Sequence, residues 1–466
     1  MFFEFPFDVI INILDLLTIQ DIVKLRLVNK SFNNLIIEYG FKLYFTNQKW
    51  NMIISNINSK KHDHPSTSSS LNDNWQQKVS FGYTTQQNWK KKFFSSTIIT
   101  KYHGQSFIPT LKFDKEKLLI SIGSSIEIYY FNKNSCGDFN KKKKAEWFIS
   151  HSNDITDILL GGGIDDEILY TCSVDCTIKQ WELNNNNNNN NNNKNNNGYS
   201  NRSDYNRQYN LAPKKQFKGH QNSVQSIYVF PDDPLNLYSV GFDERLRMWN
   251  TETTQDKMEI SLPGRPRVIH GLSSKNKLIG VGNRSGENFT LYYVTSNDIV
   301  KYATGIKDHQ STVYAIASNP NLPNTFATGC YDGICRLFDV RTMQCVASYR
   351  DPYDYHPVFS VDYDAYRLVA GANRNGIIRI FDLRYNKNNC DNHQELKKGA
   401  RKNDGWSLYL GNNRSPVYSL QMDHSRIFAA LSNMIWMLDF SKYKLNYSNN
   451  NSNPCLHYTH AKNWLG

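Results

Sequence analysis

The sequence predicts a small α-helical unit at the N-terminus, followed by a large all-β domain built from repeats. Three observations lead to this expectation. Apolar residues recur at helical spacing within residues 3–45. Residues 217–250 alternate with period 2 in three short runs that are divided by turn residues. The polar positions of that segment then return upstream and downstream at the same offsets, so one structural unit is repeated along the chain.

The composition of the 466 residues limits the class of protein. At about 150 residues per domain, a chain of this length would contain three domains. Repeats that stack on one another form a single unit, however, so the domain count does not follow from length here. The eight cysteines show no CxxC pair or regular spacing, so neither a zinc site nor a disulfide scaffold is indicated. No run of about 18 apolar residues occurs, and the N-terminus lacks the basic start of a signal peptide. We expect a soluble protein, cytoplasmic or nuclear, without metal, cofactor or membrane partner.

Residues 3–45 predict three helices. Pro6 and Asp8 suit a first helical turn, and apolar residues follow at helical spacing: Val9, Ile10, Ile13, Leu14 and Leu17. Thr18, with Asp21 three residues later, is typical of a cap that opens a second helix. The second helix carries Ile22, Val23, Leu25 and Val28, and the third carries Phe32, Leu35 and Ile36. So short a segment cannot bury this much apolar surface alone, which implies a partner.

This stretch resembles an F-box, whose family pattern begins Leu-Pro, continues through an Ile-Leu helix and contains a Val-x-Lys-x-aromatic segment. The corresponding residues here are Phe5-Pro6, Ile13-Leu14 and Val28-Asn29-Lys30-Ser31-Phe32, with Phe5 in place of the usual leucine. The resemblance implies that residues 1–50 dock on the Skp adaptor of SCF-type cullin–RING ubiquitin ligases. The implied contacts are Phe5, Pro6, Val9, Ile10, Ile13, Leu14, Leu17, Ile22, Val23 and Val28. The alternative is a helical cap that packs on the next domain.

Residues 51–96 are interpreted as a linker. Residues 60–74 are polar and rich in serine, which is typical of disorder. Residues 75–94 fit a helix, with Trp89 and three lysines near its end. F-box proteins carry a similar Trp-Lys segment that braces the F-box against the following domain, and we expect the same role here.

Four polar positions of residues 217–250 can form a buried relay of hydrogen bonds from carboxylate to imidazole to hydroxyl to indole: Asp243, His220, Ser239 and Trp249. The same offsets return at His151, Thr171, Asp175 and Trp181, and at His309, Thr328 and Asp332. A lone His or Trp is usually surface or core filler, but the recurrence favours a structural set. His220 and His309 lie 89 residues apart, which is two units of about 45 residues. The segments resemble WD repeats and imply a seven-bladed β-propeller over residues 97–466.

The expected blades cover residues 107–131, 155–183, 217–250, 268–294, 313–340, 358–383 and 417–440. Residues 97–104 precede the first blade, and we expect this strand to complete the last one, because closure removes an exposed sheet edge. Residues 455–460 are a rival for that position. The asparagine-rich insertion at residues 184–197 has no core-forming residues and loops out of the ring.

In WD-repeat proteins, two positions per blade face the ligand: five residues after the repeat histidine, and just before the turn aspartate. Carried over, these are Thr156 and Val174 in blade two, followed by Gln225, Phe242, Arg284, Tyr314, Tyr331, Phe359, Arg374 and Tyr418 in the later blades. Aromatic residues and arginine dominate binding hot spots. We expect a mainly aromatic pocket for a degron of a protein substrate, with Arg284 and Arg374 taking one acidic or phosphorylated residue. The alternative is that some aromatic residues plug the central channel.

Three functions compete. The first is a non-catalytic substrate receptor of an SCF ligase, which raises the effective concentration of its target. The second is a receptor of the other cullin class, whose Trp-Asp-x-Arg boxes resemble residues 338–341 (FDVR) and 381–384 (FDLR); these arginines otherwise pair with neighbouring blades. The third is a non-ligase scaffold, for which the net charge of +12 suggests nucleic acid. Because the lysines fall in loops and do not alternate with aromatic residues, bulk electrostatics explains the charge better. No enzyme is expected, since hydrolase, zincin and nucleotide-binding motifs are absent.

Overall fold

The computed structural model describes residues 13–14, 16–28, 30–42, 75–102, 107–114, 117–131, 146–161, 168–183, 207–208, 211–295, 298–303, 308–351, 355–384, 405–411, 414–441 and 456–458. Within these ranges the helices are α1 (Ile19–Leu25), α2 (Lys30–Leu35) and α3 (Trp75–Lys91). A π-helical turn, Ile36–Gly40, continues α2. Among the described helices, none is long and apolar enough to cross a membrane.

Short turns separate many of the strands that follow, and nearly all of the strand pairs are antiparallel. Ahead of the first blade lies β1 (Ser95–Lys101). Blade one contains β2 (Leu111–Phe113), β3 (Lys117–Ile122), β4 (Ser125–Tyr130) and β5 (Glu146–Ile149). Blade two contains β6 (Ile155–Leu160), β7 (Ile168–Ser173) and β8 (Thr177–Glu182) and, after the two-residue β9 (Arg207–Gln208), β10 (Lys215–Lys218).

The central blades are the most regular. Blade three contains β11 (Val224–Phe230), β12 (Asp233–Gly241), β13 (Arg245–Asn250) and β14 (Asp256–Ser261). Blade four contains β15 (Pro266–Ser273), β16 (Leu278–Asn283), β17 (Phe289–Val294) and β18 (Ile299–Ala303). Blade five contains β19 (Val313–Ser318), β20 (Thr325–Cys330), β21 (Cys335–Asp339) and β22 (Cys345–Tyr349).

The last two blades close the ring. Blade six contains β23 (Val358–Tyr363), β24 (Arg367–Ala372), β25 (Ile377–Asp382) and β26 (Trp406–Tyr409). Blade seven contains β27 (Val417–Met422), β28 (Arg426–Leu431) and β29 (Met434–Asp439), and β1 supplies its outer strand. The expectation of a seven-bladed all-β propeller behind an N-terminal helical unit is confirmed.

The closing strand is β1, which pairs with β29 from Ser95–Asp439 to Lys101–Met434. The rival strand, β30 (Leu456–Tyr458), instead adds to the outer edge of blade six next to β26. The short β9 extends blade one in parallel with β5. Closing the ring with a strand from the other end of the chain ties the first and last blades together and covers the edge of β29.

Apolar side chains fill the spaces between neighbouring blades. Phe289, Phe326 and Phe338, for example, join blades four and five and are all fully buried. Buried carboxylates add hydrogen bonds across these seams. Asp157 of blade two accepts from the Ser226 hydroxyl of blade three at 2.6 Å.

The carboxylate of Asp362 in blade six makes an equivalent contact. It accepts from the Met422 amide of blade seven and from the Tyr363 amide, each at 2.8 Å. Burial raises its pKa to about 6, although both amides and the more distant Lys112 counteract the rise. Asp362 therefore joins two blades at the cost of desolvating a carboxylate.

Candidate functional site

The predicted relay in blade three is present as a complete set of hydrogen bonds. His220 Nδ1 lies 2.8 Å from the Asp243 carboxylate, and His220 Nε2 lies 2.7 Å from Ser239 Oγ. The Trp249 indole N–H donates to the same hydroxyl oxygen at 2.8 Å. Because a carboxylate only accepts, Nδ1 carries the proton, and the Ser239 hydroxyl donates to Nε2. The relay fixes the loop before β11 against the turn between β12 and β13.

Blade two repeats the arrangement with threonine in place of serine. His151 contacts Asp175 at 2.9 Å and Thr171 at 2.7 Å, and Trp181 donates to Thr171 at 3.0 Å. Burial by itself would raise the pKa of Asp175, but hydrogen bonds from His151 and Thr177 hold that pKa well below its ordinary value. The pKa of Asp243 is lowered in the same way. Both aspartates are therefore structural anions.

The third predicted set, in blade five, has a different form. Thr328 Oγ1 lies 3.3 Å from His309 Nε2, but Arg336 stands between the imidazole and Asp332. Its Nη1 is 2.8 Å from the Asp332 carboxylate and 3.3 Å from His309 Nδ1. Burial and the nearby Arg336 charge keep the pKa of His309 well below its usual value. Potential ligand atoms of Cys330, His309 and Asp332 lie within 4.8 Å of one another, but the Arg336 guanidinium beside them opposes a cation.

A ring of side chains lines the mouth of the central channel at one end of the propeller. In blades two to seven, the pairing of the two inner strands skips one residue near the start of the first strand. A β-bulge of this kind re-aims the unpaired side chain. The residues at these positions all line a cavity of about 180 Å³ in the channel: Thr156, Gln225, Arg267, Tyr314, Phe359 and Tyr418. Five of these six were predicted from the repeat offset.

Arg267 is the residue that the sequence prediction missed. Blade four has neither the repeat histidine nor the turn aspartate, and its first strand was placed from residue 268. The strand begins instead at Pro266, which pairs with Asn283, so that the bulge falls on Arg267. The turn at residues 263–265 contains a proline and a glycine and comes directly before the strand. This turn is the sequence signal that could have placed the strand start correctly and so identified Arg267.

Four aromatic rings form a continuous arc across blades five, six and seven. Tyr314 stacks on Phe359 with ring centroids 4.6 Å apart. Tyr331 extends the arc on one side, 5.8 Å from Tyr314, and Tyr418 on the other, 6.3 Å from Phe359. The Tyr331 side chain is 47% exposed, and the other three are partly buried. The rings thus border the channel and do not fill it, since a cavity is left between them.

The predicted turn positions lie just after the second strands of blades two, three, four and six. Arg284 and Arg374 are exposed, Val174 is 38% exposed and Phe242 is partly buried. Gln225, by contrast, is almost fully buried, and its amide donates to Ser223 Oγ and accepts from Arg267 Nη1, each at 2.7 Å. Gln225 therefore orients Arg267 within the channel mouth.

The N-terminal helices form a second candidate surface. Thr18 caps α1 as predicted, accepting from the Asp21 amide at 3.3 Å and donating to its carboxylate at 2.6 Å. Leu14 and Ile22 pack inside the helical cluster together with Ile36, and Leu17 lies at its edge. Val23 and Val28 are 46% and 61% exposed, and Ile13 is partly buried. Phe5, Pro6, Val9 and Ile10 lie outside the described residues.

Several of the exposed side chains of this unit are large and apolar. We call the following set the apolar helical surface: Leu16 (86% exposed), Val23 (46%), Leu27 (85%), Val28 (61%), Ile37 (45%) and Tyr39 (38%). Large exposed apolar side chains that are numerous on one small unit indicate an interaction site. Sequence spacing predicted Val23 and Val28 here, but did not single out Leu16 or Leu27.

Helix α3 packs on both units. Val79 belongs to the N-terminal cluster with Leu14 and Ile22. Nearly three turns further on, the Trp89 ring stacks on Phe440 of blade seven with centroids 3.4 Å apart. The Trp89 indole N–H donates to the His424 carbonyl at 2.9 Å. Helix α3 therefore contacts both the helical unit and the propeller.

The two boxes that resemble Trp-Asp-x-Arg motifs begin at the ends of the third strands of blades five and six. Arg341 Nη2 pairs with Asp339 at 2.8 Å, and Arg384 Nε donates to Asp382 at 2.8 Å. Each arginine therefore pairs with the aspartate of its own box. Arg341 remains 70% exposed, which leaves its guanidinium available to a partner.

Comparison with known proteins agrees with this architecture. The F-box domain family model matches residues 2–44, and the WD domain, G-beta repeat model matches residues 142–182, 211–250 and 301–339. The fold and the relays define a WD-repeat β-propeller protein. The chain thus combines an N-terminal match to the F-box domain with a seven-bladed propeller that contains WD repeats.

Curated relatives match only part of the chain. It is 26% identical over 166 residues to the ribosome biogenesis protein YTM1 of Laccaria bicolor, covering 35% of this chain and 36% of the relative. It is 29% identical over 126 residues to ytm1 of Schizosaccharomyces pombe, covering 27% and 28%. It is 23% identical over 136 residues to the WD repeat-containing protein ATCSA-1 of Arabidopsis thaliana, covering 28% and 29%. The chain thus spans about a third of the length of these relatives.

Proposed function

We propose that this protein is the substrate-recognition subunit of an SCF-type ubiquitin ligase. The observation that carries the proposal is the apolar helical surface on a segment that matches the F-box model. Leu16 and Leu27 each leave more than four-fifths of their surface in water. Covering a leucine side chain contributes about 1.5–3 kcal/mol, so this surface favours a stable protein partner. In the proposal that partner is a Skp adaptor, and through it a cullin–RING ligase.

The propeller holds the protein to be ubiquitinated. The aromatic arc of Tyr314, Tyr331, Phe359 and Tyr418 offers large, rigid contact area, and Arg284 and Arg374 are exposed in the turns of blades four and six. Aromatic and arginine side chains carry most of the energy at typical protein interfaces. No catalytic group is needed, because the receptor acts by raising the local concentration of its target near the ligase.

The test is co-purification of the full chain with endogenous Skp adaptor and cullin. Leu16→Glu and Leu27→Glu place a charge on the apolar helical surface without disturbing the core, so we expect at least tenfold less adaptor. Asn34→Glu is the matched control, because Asn34 is exposed on α2 and gains the same charge. Equal adaptor recovery with all three variants, or no adaptor with the unmodified chain, would contradict the proposal.

Two other functions have specific support. The similarity to ribosome biogenesis proteins favours a non-ligase scaffold, in which the propeller assembles proteins. The exposed Arg341 favours a receptor of the other cullin class. Recovery of pre-ribosomal proteins without any cullin would support the scaffold. Recovery of a cullin without a Skp adaptor would support the receptor of the other cullin class, provided that the cullin is lost in an Arg341→Ala variant.

A further inference from the structure

The outer edge of blade six carries a strand that comes from the far end of the chain. β30 lies antiparallel to β26, in a register that runs from Ser407–Tyr458 to Tyr409–Leu456. Blades two, three, four, five and seven contain four strands each within the described chain, so this fifth strand is an addition to the blade. The ring does not depend on it, because β1 pairs with β29 and closes the propeller. β30 therefore covers a sheet edge without taking part in closure.

The sequence of β26, WSLY, lacks the features that usually protect a sheet edge. Native sheets block their edge strands with charged side chains, above all lysine, or with proline. The outer strands of blades two, three, four and seven each contain lysine. Of the uncharged outer strands, β22 and β26, only β26 is paired with an added strand in the part of the chain that the structure describes. The edge of β26 is thus suited to pairing, and the structure shows it paired.

One face of β26 is apolar. Leu408 is fully buried in the core cluster of blades six and seven, and Trp406 packs on the same cluster. The Trp406 ring centroid lies 6.2 Å from that of Phe94 and 5.8 Å from Lys92 Nζ, both in the connection from α3 to β1. Because alternate residues of a strand share a face, residues added opposite Trp406 and Leu408 lie on this apolar side. The edge therefore favours a strand with apolar residues at those two positions.

β30 matches this edge only in part. It has 3 residues, whereas β26 has 4, and in the described register no residue of β30 lies opposite Trp406. The residue opposite Leu408 is a histidine, His457. Cross-strand pairs are the unit of sheet stabilisation, and a polar residue gains little from an apolar neighbour. A longer strand with better matched residues can therefore displace β30.

We propose that the outer edge of β26 is a strand-addition site for an extended segment of a partner protein, and that residues 456–458 cover this site in cis. The partner segment pairs antiparallel with β26 and places apolar residues opposite Trp406 and Leu408. In this mode of recognition the main chain supplies affinity and alternate side chains supply specificity. A second copy of the chain would offer only the same poorly matched segment, against which the tethered one competes at an effective concentration of the order of millimolar.

This site is distinct from the channel mouth. β23, β24 and β25 separate β26 from the channel, whose lining in blade six comes from β23. The inference therefore goes beyond the proposed ligase function and does not depend on it. All of the measurements below use the full chain without an adaptor.

The first experiment measures binding of a fluorescent peptide of residues 453–461, with serine in place of Cys455, by anisotropy. Leu456→Pro with His457→Pro opens the edge, because proline cannot donate to the ladder. Asn451→Pro with Ser452→Pro is the matched control, since it places the same residues ahead of β30. A peptide with a dissociation constant of about 0.1 mM should bind the opened variant about tenfold more tightly than the unmodified chain or the control. Equal binding to all three proteins, or no binding to the opened variant, overturns the inference. Thermal unfolding checks that the ring, which β1 closes, is intact.

Peptides methylated on backbone nitrogens test the pairing itself. In an antiparallel pair, successive residues direct their N–H groups alternately toward and away from the neighbouring strand. One peptide is methylated at the nitrogen of position 457 and the other at those of 456 and 458, with all side chains unchanged. Strand addition predicts that one of the two loses about tenfold or more of its affinity for the opened variant and that the other retains it. Equal losses, or no loss in either, exclude main-chain pairing.

Two further measurements test the occupant. A His457→Val peptide should bind the opened variant about threefold more tightly, because valine suits a strand and the apolar side of Leu408; an equal or weaker affinity contradicts the preference for apolar residues. Light scattering should show the unmodified chain as a monomer at micromolar concentrations. A dimer that the opened variant does not form would show that a second copy supplies the strand, and would overturn the assignment to a partner protein.

Discussion

Replacing Trp89 with alanine should separate the bracing helix from the propeller. The indole is 5% exposed and stacks on Phe440 at 3.4 Å. On its other side the Arg367 guanidinium lies 4.0 Å from the ring centroid. Truncating a buried Trp to Ala costs about 3–5 kcal/mol, and the His424 carbonyl also loses its donor. We expect the free energy of unfolding to fall by about 4 kcal/mol.

Denaturant unfolding followed by tryptophan fluorescence measures this loss, and limited proteolysis between α3 and β1 reports the detachment directly. Trp89→Phe retains an aromatic ring and removes only the indole N–H, so it should cost about 1–2 kcal/mol. Lys90→Ala is the control, because Lys90 is exposed on the same helix and should change stability by less than about 0.5 kcal/mol. A Trp89→Ala protein as stable and protease-resistant as Lys90→Ala would refute the view that Trp89 fixes α3.

Three further changes test the propeller itself, each by thermal or denaturant unfolding. Ser239→Ala leaves His220 Nε2 and the Trp249 N–H without their shared partner, and should cost about 2–3 kcal/mol; no loss would mean that the relay is unimportant. Gly271→Ala puts a methyl group 2.2 Å from the Tyr228 ring, and should cost more than about 1 kcal/mol; a neutral result would contradict the packing of blades three and four. The raised pKa of Asp362, about 6, means that the folded protein keeps a proton that the unfolded chain loses near pH 4. Stability should therefore fall by up to about 3 kcal/mol as the pH rises from about 4 to about 6, and a pH profile of Asp362→Asn that matches the unmodified chain would contradict this.

The sequence predicted those parts of the propeller that depend on local spacing. The relays of blades two and three follow from residue type and offset, because His220, Ser239, Asp243 and Trp249 must meet once the strands pair in register. Blade five shows the limit of that reasoning. The sequence matches at His309 and Asp332, but Arg336 enters the relay from β21, and only the fold shows that it stands between them.

The binding surfaces were less predictable, since they depend on register and on packing between units. In blade four, a shift of two residues in the start of β15 moves the channel position to Arg267. In the helical unit, apolar spacing predicts a helix face but not whether that face is covered. Val79 of α3 lies more than fifty residues further along the chain than Leu14 and Ile22, yet it packs with them. That contact makes these two residues core, and leaves Leu16 and Leu27 at the surface.

The placement of α3 bears on how such a receptor would act. A flexible linker of the length of residues 43–74 would allow the target many positions relative to the adaptor, and the effective concentration would be spread over all of them. Here one helix of 17 residues contributes Val79 to the helical cluster and Asn88 and Trp89 to the propeller. At 1.5 Å per residue, its length is about 25 Å. Because the helix contacts both units, it fixes the separation of the apolar helical surface and the channel mouth, and a receptor of the proposed kind would present its target in a single orientation. Trp89→Ala should then reduce ubiquitination of a bound target more than it reduces target binding itself.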